Sequence, residues 1–187
     1  MRADARKNRD HLLAVAGTAI TEQGVDVSLR DIARKADVGL ATLLRHFPTR
    51  EALLDALLRT NFDELTARAA ELETSSSPEQ ALVTWLRDCV GWTTEYRGVT
   101  ALMAAAIEDP ESALHASCVT LRVAGARLLT RAQETDVARG DLDGADLFAL
   151  VAMLAWLGDQ PSLAPRADHL FEVVAHAILT RPAAGRP

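Results

Sequence analysis

Thr42, Arg45 and His46 share one short stretch, LATLLRH, and carry groups suited to a nucleic-acid surface. A guanidinium holds its N–H donors in a rigid fork, which matches the paired acceptors of a guanine edge or two phosphate oxygens. Arg45 is therefore the candidate base or phosphate reader. The Thr42 hydroxyl or methyl would reach the backbone or a thymine, and His46 has two readings, a DNA contact or a partly packed ring. Leu40 and Ala41 precede them and would meet thymine methyls. Arg30 and Arg50 flank the stretch as candidate phosphate clamps, and the N–H groups of a helix starting beside Arg50 would also favour an anion. Arg6, Lys7 and Arg9 form a basic arm further upstream.

The elements that must hold these side chains are written around them. Ser28 is a good N-cap, and Asp31 three residues on predicts a capping box. Leu29, Ile32, Ala33 and Ala36 then fall at i, i+3, i+4 and i+7, the stripe of an amphipathic helix. Asp37-Val38-Gly39 breaks it, with Gly39 expected to supply a positive φ. A second helix runs from Leu40 to His46, with Leu43 and Phe47 inward and Thr42 and Arg45 outward, until Pro48 stops it. Two short helices with a three-residue turn between them match a helix-turn-helix. Upstream, RDHLLAVAGTAITEQ reads as an amphipathic helix ended by Gly24, and downstream Thr49 caps a long helix reaching about Leu72.

In register, Gly24, Ile32-Ala33, Val38, Thr42-Leu43, His46-Phe47 and Glu51-Ala52-Leu53 resemble the N-terminal domain of the TetR family of transcriptional regulators. The pattern spans roughly the first 60 residues. Family members commonly carry Ser or Thr where Gly39 stands and Tyr where Leu44 stands. Gly39 and Leu44 lack the hydroxyls with which those residues touch the DNA backbone. The resemblance implies an all-α fold, an N-terminal three-helix DNA-binding domain and a larger helical effector-binding and dimerisation domain. It also implies a regulator, most often a repressor, that holds a palindromic double-stranded operator as a homodimer and is released by a small-molecule effector.

Composition agrees with an all-helical chain. Of 187 residues, 49% are apolar but only 4% aromatic, and Ala and Leu dominate. The net charge of −6 is unevenly spread: residues 1–60 hold ten Lys/Arg against eight Asp/Glu, and residues 61–187 hold ten against eighteen. The basic excess thus coincides with the reading motif, and the local patch governs phosphate attraction. No uncharged apolar run reaches 18 residues, and the polar opening MRADARKNRD is unlike a signal peptide. Cys89 and Cys118 sit in helical patterns without metal-ligand spacing, as expected for a reducing, cytoplasmic setting.

Further along, helices are expected at Pro78–Tyr96, Val99–Glu108, from Asp109-Pro110 to Thr135, Asp143–Gly158 and Arg166–Thr180, with RPAAGRP as a frayed tail. Positions 147–157, LFALVAMLAWL, have no polar residue on any face, so the helix must be covered all round. With the last helix it forms a candidate dimer face: Leu147, Val151, Leu154, Leu170, Val174 and Ile178. Trp85, Cys89, Trp92, Tyr96, Met103, His115, Cys118, Met153 and Trp156 are candidate lining for an effector pocket, and ordinary core is the competing reading of each. His169, Glu172 and His176 share a helix face, but the partner ligands of a di-metal bundle are missing, so no metal or cofactor is expected. No nucleophile elbow, phosphate loop or dinucleotide fingerprint occurs, and no catalytic residue is assigned. The expected division is 1–55 for DNA binding and 56–187 for effector binding and dimerisation. The alternatives are a helical binding module and a metal-dependent helical-bundle enzyme, neither binding DNA. The basic N-terminal excess disfavours the first and the missing ligands the second.

Overall fold

The computed structural model describes residues 2–180; the expected C-terminal tail lies outside the described residues. Among the described residues nine α-helices follow one another: α1 Arg2–Gln23, α2 Leu29–Lys35, α3 Leu40–His46, α4 Arg50–Leu72, α5 Pro78–Glu95, α6 Val99–Glu108, α7 His115–Glu134, α8 Gly144–Asp159 and α9 Ala167–Ile178. A 3-10 turn, Ala164–Arg166, leads into α9. Among the described residues the only β-pairing is an isolated bridge between Ala138 and Leu179. The chain is all-α.

Two compact units form. One joins the residues through Asn61 to Glu95–Cys118; the other joins Phe62–Thr94 to the residues from Val119 onward. In the first, one stripe of each early helix is buried: Leu12, Ala16, Ala19 and Ile20 on α1, Ile32 and Ala33 on α2, Leu43 on α3 and Leu53, Leu54 and Leu58 on α4. In the second, α5 buries Ala81, Leu82, Trp85, Leu86 and Cys89, while α7 buries Leu121, Ala124, Leu128, Leu129 and Ala132. Trp85 lies so close over Gly125 that a Cβ there would sit 2.4 Å from the ring, and its Nε1 donates to the Leu65 carbonyl at 3.0 Å.

Helix ends follow local chemistry, with three differences from expectation besides that of α1, which begins at Arg2 rather than Arg9, so that Arg6, Lys7 and Arg9 lie on a helix and not on an extended arm. Ser28 accepts from the Asp31 N–H at 3.2 Å, but the Asp31 carboxylate turns to Arg34 at 2.6 Å, leaving the expected capping box half made. The complete box is elsewhere, at the start of α8, where Asp143 accepts from the Ala145 and Asp146 N–H groups and Asp146 reaches back to the Asp143 N–H. Those two amide donors, Asp146 first, lower the Asp143 carboxyl pKa, because they stabilise its charged form. The third difference is α7, which starts at His115 rather than near Pro110, since Asp109 accepts from the Glu111 N–H and closes a local turn instead.

Candidate nucleic-acid interface

The turn between α2 and α3 closes in an unexpected way. Asp37, not Gly39, takes the left-handed conformation, at φ 53°. Its N–H bonds the Arg34 carbonyl at 3.2 Å and the next N–H, of Val38, bonds the Ala33 carbonyl at 3.0 Å, the Schellman pattern of a helix C-terminus. A short polar side chain tolerates this region, so aspartate serves where glycine is usual. Gly39 has φ −68° and ψ 146° and acts as the N-cap of α3, without a side-chain acceptor.

From that corner α3 presents two faces. Leu43 and Phe47 are fully packed, as expected. Ala41, Leu44 and Arg45 are exposed, and Leu40, Thr42 and His46 are half-buried. Arg45 Nη2 donates to Thr42 Oγ1 at 3.2 Å, so these two candidate readers lie together on the outer side. Arg30 is exposed on α2 and lines a shallow cleft of about 450 Å³ with Ala33, Arg34, Asp37, Val38, Gly39 and Leu40. Arg34 was not singled out from sequence, although its i, i+4 spacing from Arg30 placed both cations on one side of α2. Arg9 of the basic arm stacks over the Phe47 ring, 5.3 Å from its centroid.

Arg50 behaves differently from its sequence reading. Its Nη1 donates to the Val25 carbonyl at 2.7 Å and the Val27 carbonyl at 2.9 Å, which commits part of the guanidinium to the loop between α1 and α2. Thr49 caps α4 by accepting from the Ala52 N–H at 3.1 Å.

The candidate pocket residues divide between the two units. Tyr96, Met103, His115 and Cys118 belong to the first; Trp85, Cys89, Trp92, Met153 and Trp156 belong to the second. Trp85, Cys89, Met103 and Cys118 are buried, while Tyr96, Trp92 and His115 are half-buried. His115 Nδ1 lies 2.9 Å from the Ala106 carbonyl, and Trp92 meets Phe62 edge-on at 5.2 Å between ring centroids. Met153 and Trp156 are corrections, being 43% and 53% exposed. Burial, then the neighbouring Asp55 charge, pushes the Cys118 thiol up to about 12; burial and then Asp88 raise Cys89 as well, so both stay protonated and unreactive at neutral pH.

The dimer face needs correction too. Leu147, Val151, Leu154 and Ile178 are all buried within the second unit, and Leu170 and Val174 are half-buried. The large apolar side chains that α8 and α9 leave outward are Met153, Trp156 and Val173. Glu172 pairs with Arg87, whose guanidinium lies 4.1 Å from the Phe171 ring centroid. Among the described residues, no three His, Cys, Asp or Glu side chains gather as a metal site, and no helix is long and apolar enough to cross a membrane.

A reading helix with an exposed arginine bonded to a half-buried threonine, set on a capped partner helix beside exposed cations, defines a helix-turn-helix DNA-binding regulator. The comparisons agree. Residues 12–57 match the model of bacterial regulatory proteins of the tetR family, and residues 77–178, more than half of the chain, match that of the SbtR-like transcriptional regulator C-terminal domain. The chain belongs to the TetR family. It is 31% identical to the HTH-type transcriptional repressor KstR2 of Rhodococcus jostii (strain RHA1) over 98 residues, 52% of this chain and 46% of that repressor. The chain thus spans about half the length of this curated relative. The TetR transcriptional regulator SCO0520 from Streptomyces coelicolor is 31% identical, with TM-score 0.63 over 94% of this chain and 99% of that one. RolR, solved in complex with the ligand resorcinol, shares the fold at 22% identity and TM-score 0.63, over 98% of this chain and 93% of its own.

Proposed function

We propose that this regulator is a repressor that binds a near-palindromic operator as a homodimer and leaves it when a small molecule binds. The observation that carries this reading is the outer side of α3, where the exposed Arg45 is hydrogen-bonded to the half-buried Thr42, on the same short helix as Leu40. Arg45 reads a base edge. Thr42 and His46 touch backbone or base, Leu40 and Ala41 meet thymine methyls, and Arg30 holds a phosphate. Arg50 contributes the N–H groups of the α4 start and its hold on the Val25–Val27 loop.

A second copy covers the outward apolar residues Met153, Trp156 and Val173, an isologous pairing of α8 and α9. The dimer sets two reading helices about one DNA turn apart, roughly 34–36 Å. DNA reading belongs to residues 1–55, and effector binding and dimerisation to residues 56–187. The effector is a small, largely apolar molecule, a reading that the resorcinol complex of RolR supports by analogy of fold. Trp85, Cys89 and Trp92, which the second unit holds together on α5, are the side chains proposed to meet it. It weakens operator binding by favouring a dimer with a different head spacing, at a coupling of ~1–3 kcal/mol.

Selection of bound sequences from random DNA tests the core of this reading. The expected outcome is a palindrome with half-sites about 10 base pairs apart. Recovery of no preferred sequence, or of an asymmetric single site, would overturn it.

A further inference from the structure

Two left-handed glycines face each other in the first unit. Gly24 (φ +89°) ends α1, and Gly98 (φ +87°) is the N-cap of α6. The Gly24 N–H bonds the Ile20 carbonyl at 2.7 Å, which closes α1, and the Val25 N–H then leaves the loop to bond the Arg97 carbonyl at 3.0 Å. There is no room for a side chain on either side of this contact. A Cβ on Gly24 would lie 3.1 Å from the Arg97 oxygen, and one on Gly98 would lie 2.9 Å from Val25 Cγ2. From the other side Arg50 Nη1 holds the Val25 and Val27 carbonyls, at 2.7 and 2.9 Å. Gly24, Val25 and Val27 are buried, and the next residue is the N-cap of α2.

We propose that the Arg97–Gly98 turn is a positioning element for the reading helices. It latches the start of α6 onto the loop that launches α2, with Arg50 as the clamp on that loop. The loop is four residues long between α1 and the Ser28 cap; its own bonds are Gly24 N–H to the Ile20 carbonyl and Val27 N–H to the Gly24 carbonyl at 3.3 Å, and the Val25 N–H and the Val25 and Val27 carbonyls are satisfied from outside, by Arg97 and Arg50. A shift of the Arg97 carbonyl therefore either drags the Val25 N–H or leaves a buried donor unpaired, and the second is costly. The start of α6 and the pitch of α2–α3 are coupled through this one contact. The inference rests on the DNA-binding reading for its consequence, though not for its geometry.

The test is amide exchange on the full chain, free and with its selected operator, in the wild type and in Gly98→Ala. Coupling is reciprocal, so operator should slow exchange at Val25 and Val99 by about threefold or more, although neither is proposed to touch DNA. Gly98→Ala imposes a left-handed alanine and a collision with Val25. It should speed Val25 exchange in the free protein and weaken operator binding about tenfold. Emission from Trp85, Trp92 and Trp156, all in the other unit, should not change. If Gly98→Ala does not fold, Arg50→Lys reads the same latch: it keeps the charge but withdraws, on a shorter side chain, the single Nη1 that holds both carbonyls, so affinity should fall with an unchanged salt slope. A lost phosphate contact would instead make the slope shallower. Val25 and Val99 amides indifferent to operator while α3 amides slow, or either folded variant binding like the wild type, overturns the proposal. If the wild type selects no DNA at all, the repressor reading falls. Val25 exchange in the free wild type and variant then still decides the latch, which stands only if the variant exchanges faster.

Discussion

The α2–α3 pair and the α8–α9 pair make opposite demands on their sequences. On α2 and α3 apolar residues recur at helical spacing with polar residues between them, and burial follows the pattern: Ile32, Ala33, Ala36, Leu43 and Phe47 are inside. On α8 every position from 147 to 157 is apolar, so no residue marks the outward side. The fold buries Leu147, Val151, Leu154 and Ala155, at i, i+4, i+7 and i+8, and leaves Met153 and Trp156 out. Polar residues, more than apolar ones, tell a helix which way to turn. Where they are missing, packing against the rest of the unit decides.

The comparison breaks most visibly if a charge is placed on each side of α8. Leu154 is 4% exposed, so Leu154→Glu would bury an unpaired carboxylate, at a cost of several kcal/mol, and should unfold the second unit. Trp156 is 53% exposed, so Trp156→Glu should fold normally. By covering the outward patch with charge, it should convert the proposed dimer to a monomer. Circular dichroism and sedimentation at micromolar concentration separate the two variants. A folded monomer from Leu154→Glu, with Trp156→Glu still dimeric, would exchange the two faces.

The same contrast explains what was legible in the sequence. The bounds of α3 and α6 are those the sequence predicts, and α2, α4 and α5 differ by about a residue, because Ser28, Thr49, Ser77 and Pro78 are local signals that act within one turn. The outward placement of Arg45 and inward placement of Leu43 and Phe47 follow from spacing alone. The choice between Asp37 and Gly39 for the left-handed residue did not, since both tolerate it and hydrogen bonds to Ala33 and Arg34 select between them. The partner of Arg50 was equally hidden: Val25 and Val27 lie more than twenty residues away, and backbone carbonyls leave no mark in a sequence. The dimer-face residues on α8 failed for the reason given above.

Within the reading head, the faces of α3 sharpen the comparison at a smaller scale. Arg45→Ala removes an exposed side chain whose hydrogen bond within the chain is to Thr42, so the fold should be untouched. Operator affinity should fall by ~1–3 kcal/mol, with relaxed preference at one base pair, the mark of a lost base contact. Binding measured against operators permuted at each position checks this. Equal losses at every sequence would reassign Arg45 to phosphate, and no loss would mean that α3 reads DNA with another face.

The smallest expected effect concerns Gly39, where the sequence departs from its family and the structure gives no reason for it. Its φ of −68° is open to any residue, and a Cβ there would meet nothing within 4 Å. Glycine therefore adds freedom to the unfolded chain and supplies no acceptor for the N–H groups at the start of α3, which a seryl oxygen would provide. Gly39→Ser should raise the stability of the first unit by a few tenths of a kcal/mol, up to about 1 kcal/mol, read as a higher urea midpoint at unchanged slope. It should also tighten binding to all DNA sequences alike if the added hydroxyl reaches a phosphate. Gly98→Ala makes the opposite case, because there φ is +87° and the space is filled. Two glycines in one unit thus carry opposite predictions from the same two measurements, φ and clearance. A destabilised Gly39→Ser would show that the α2–α3 corner needs a flexibility its static geometry does not reveal.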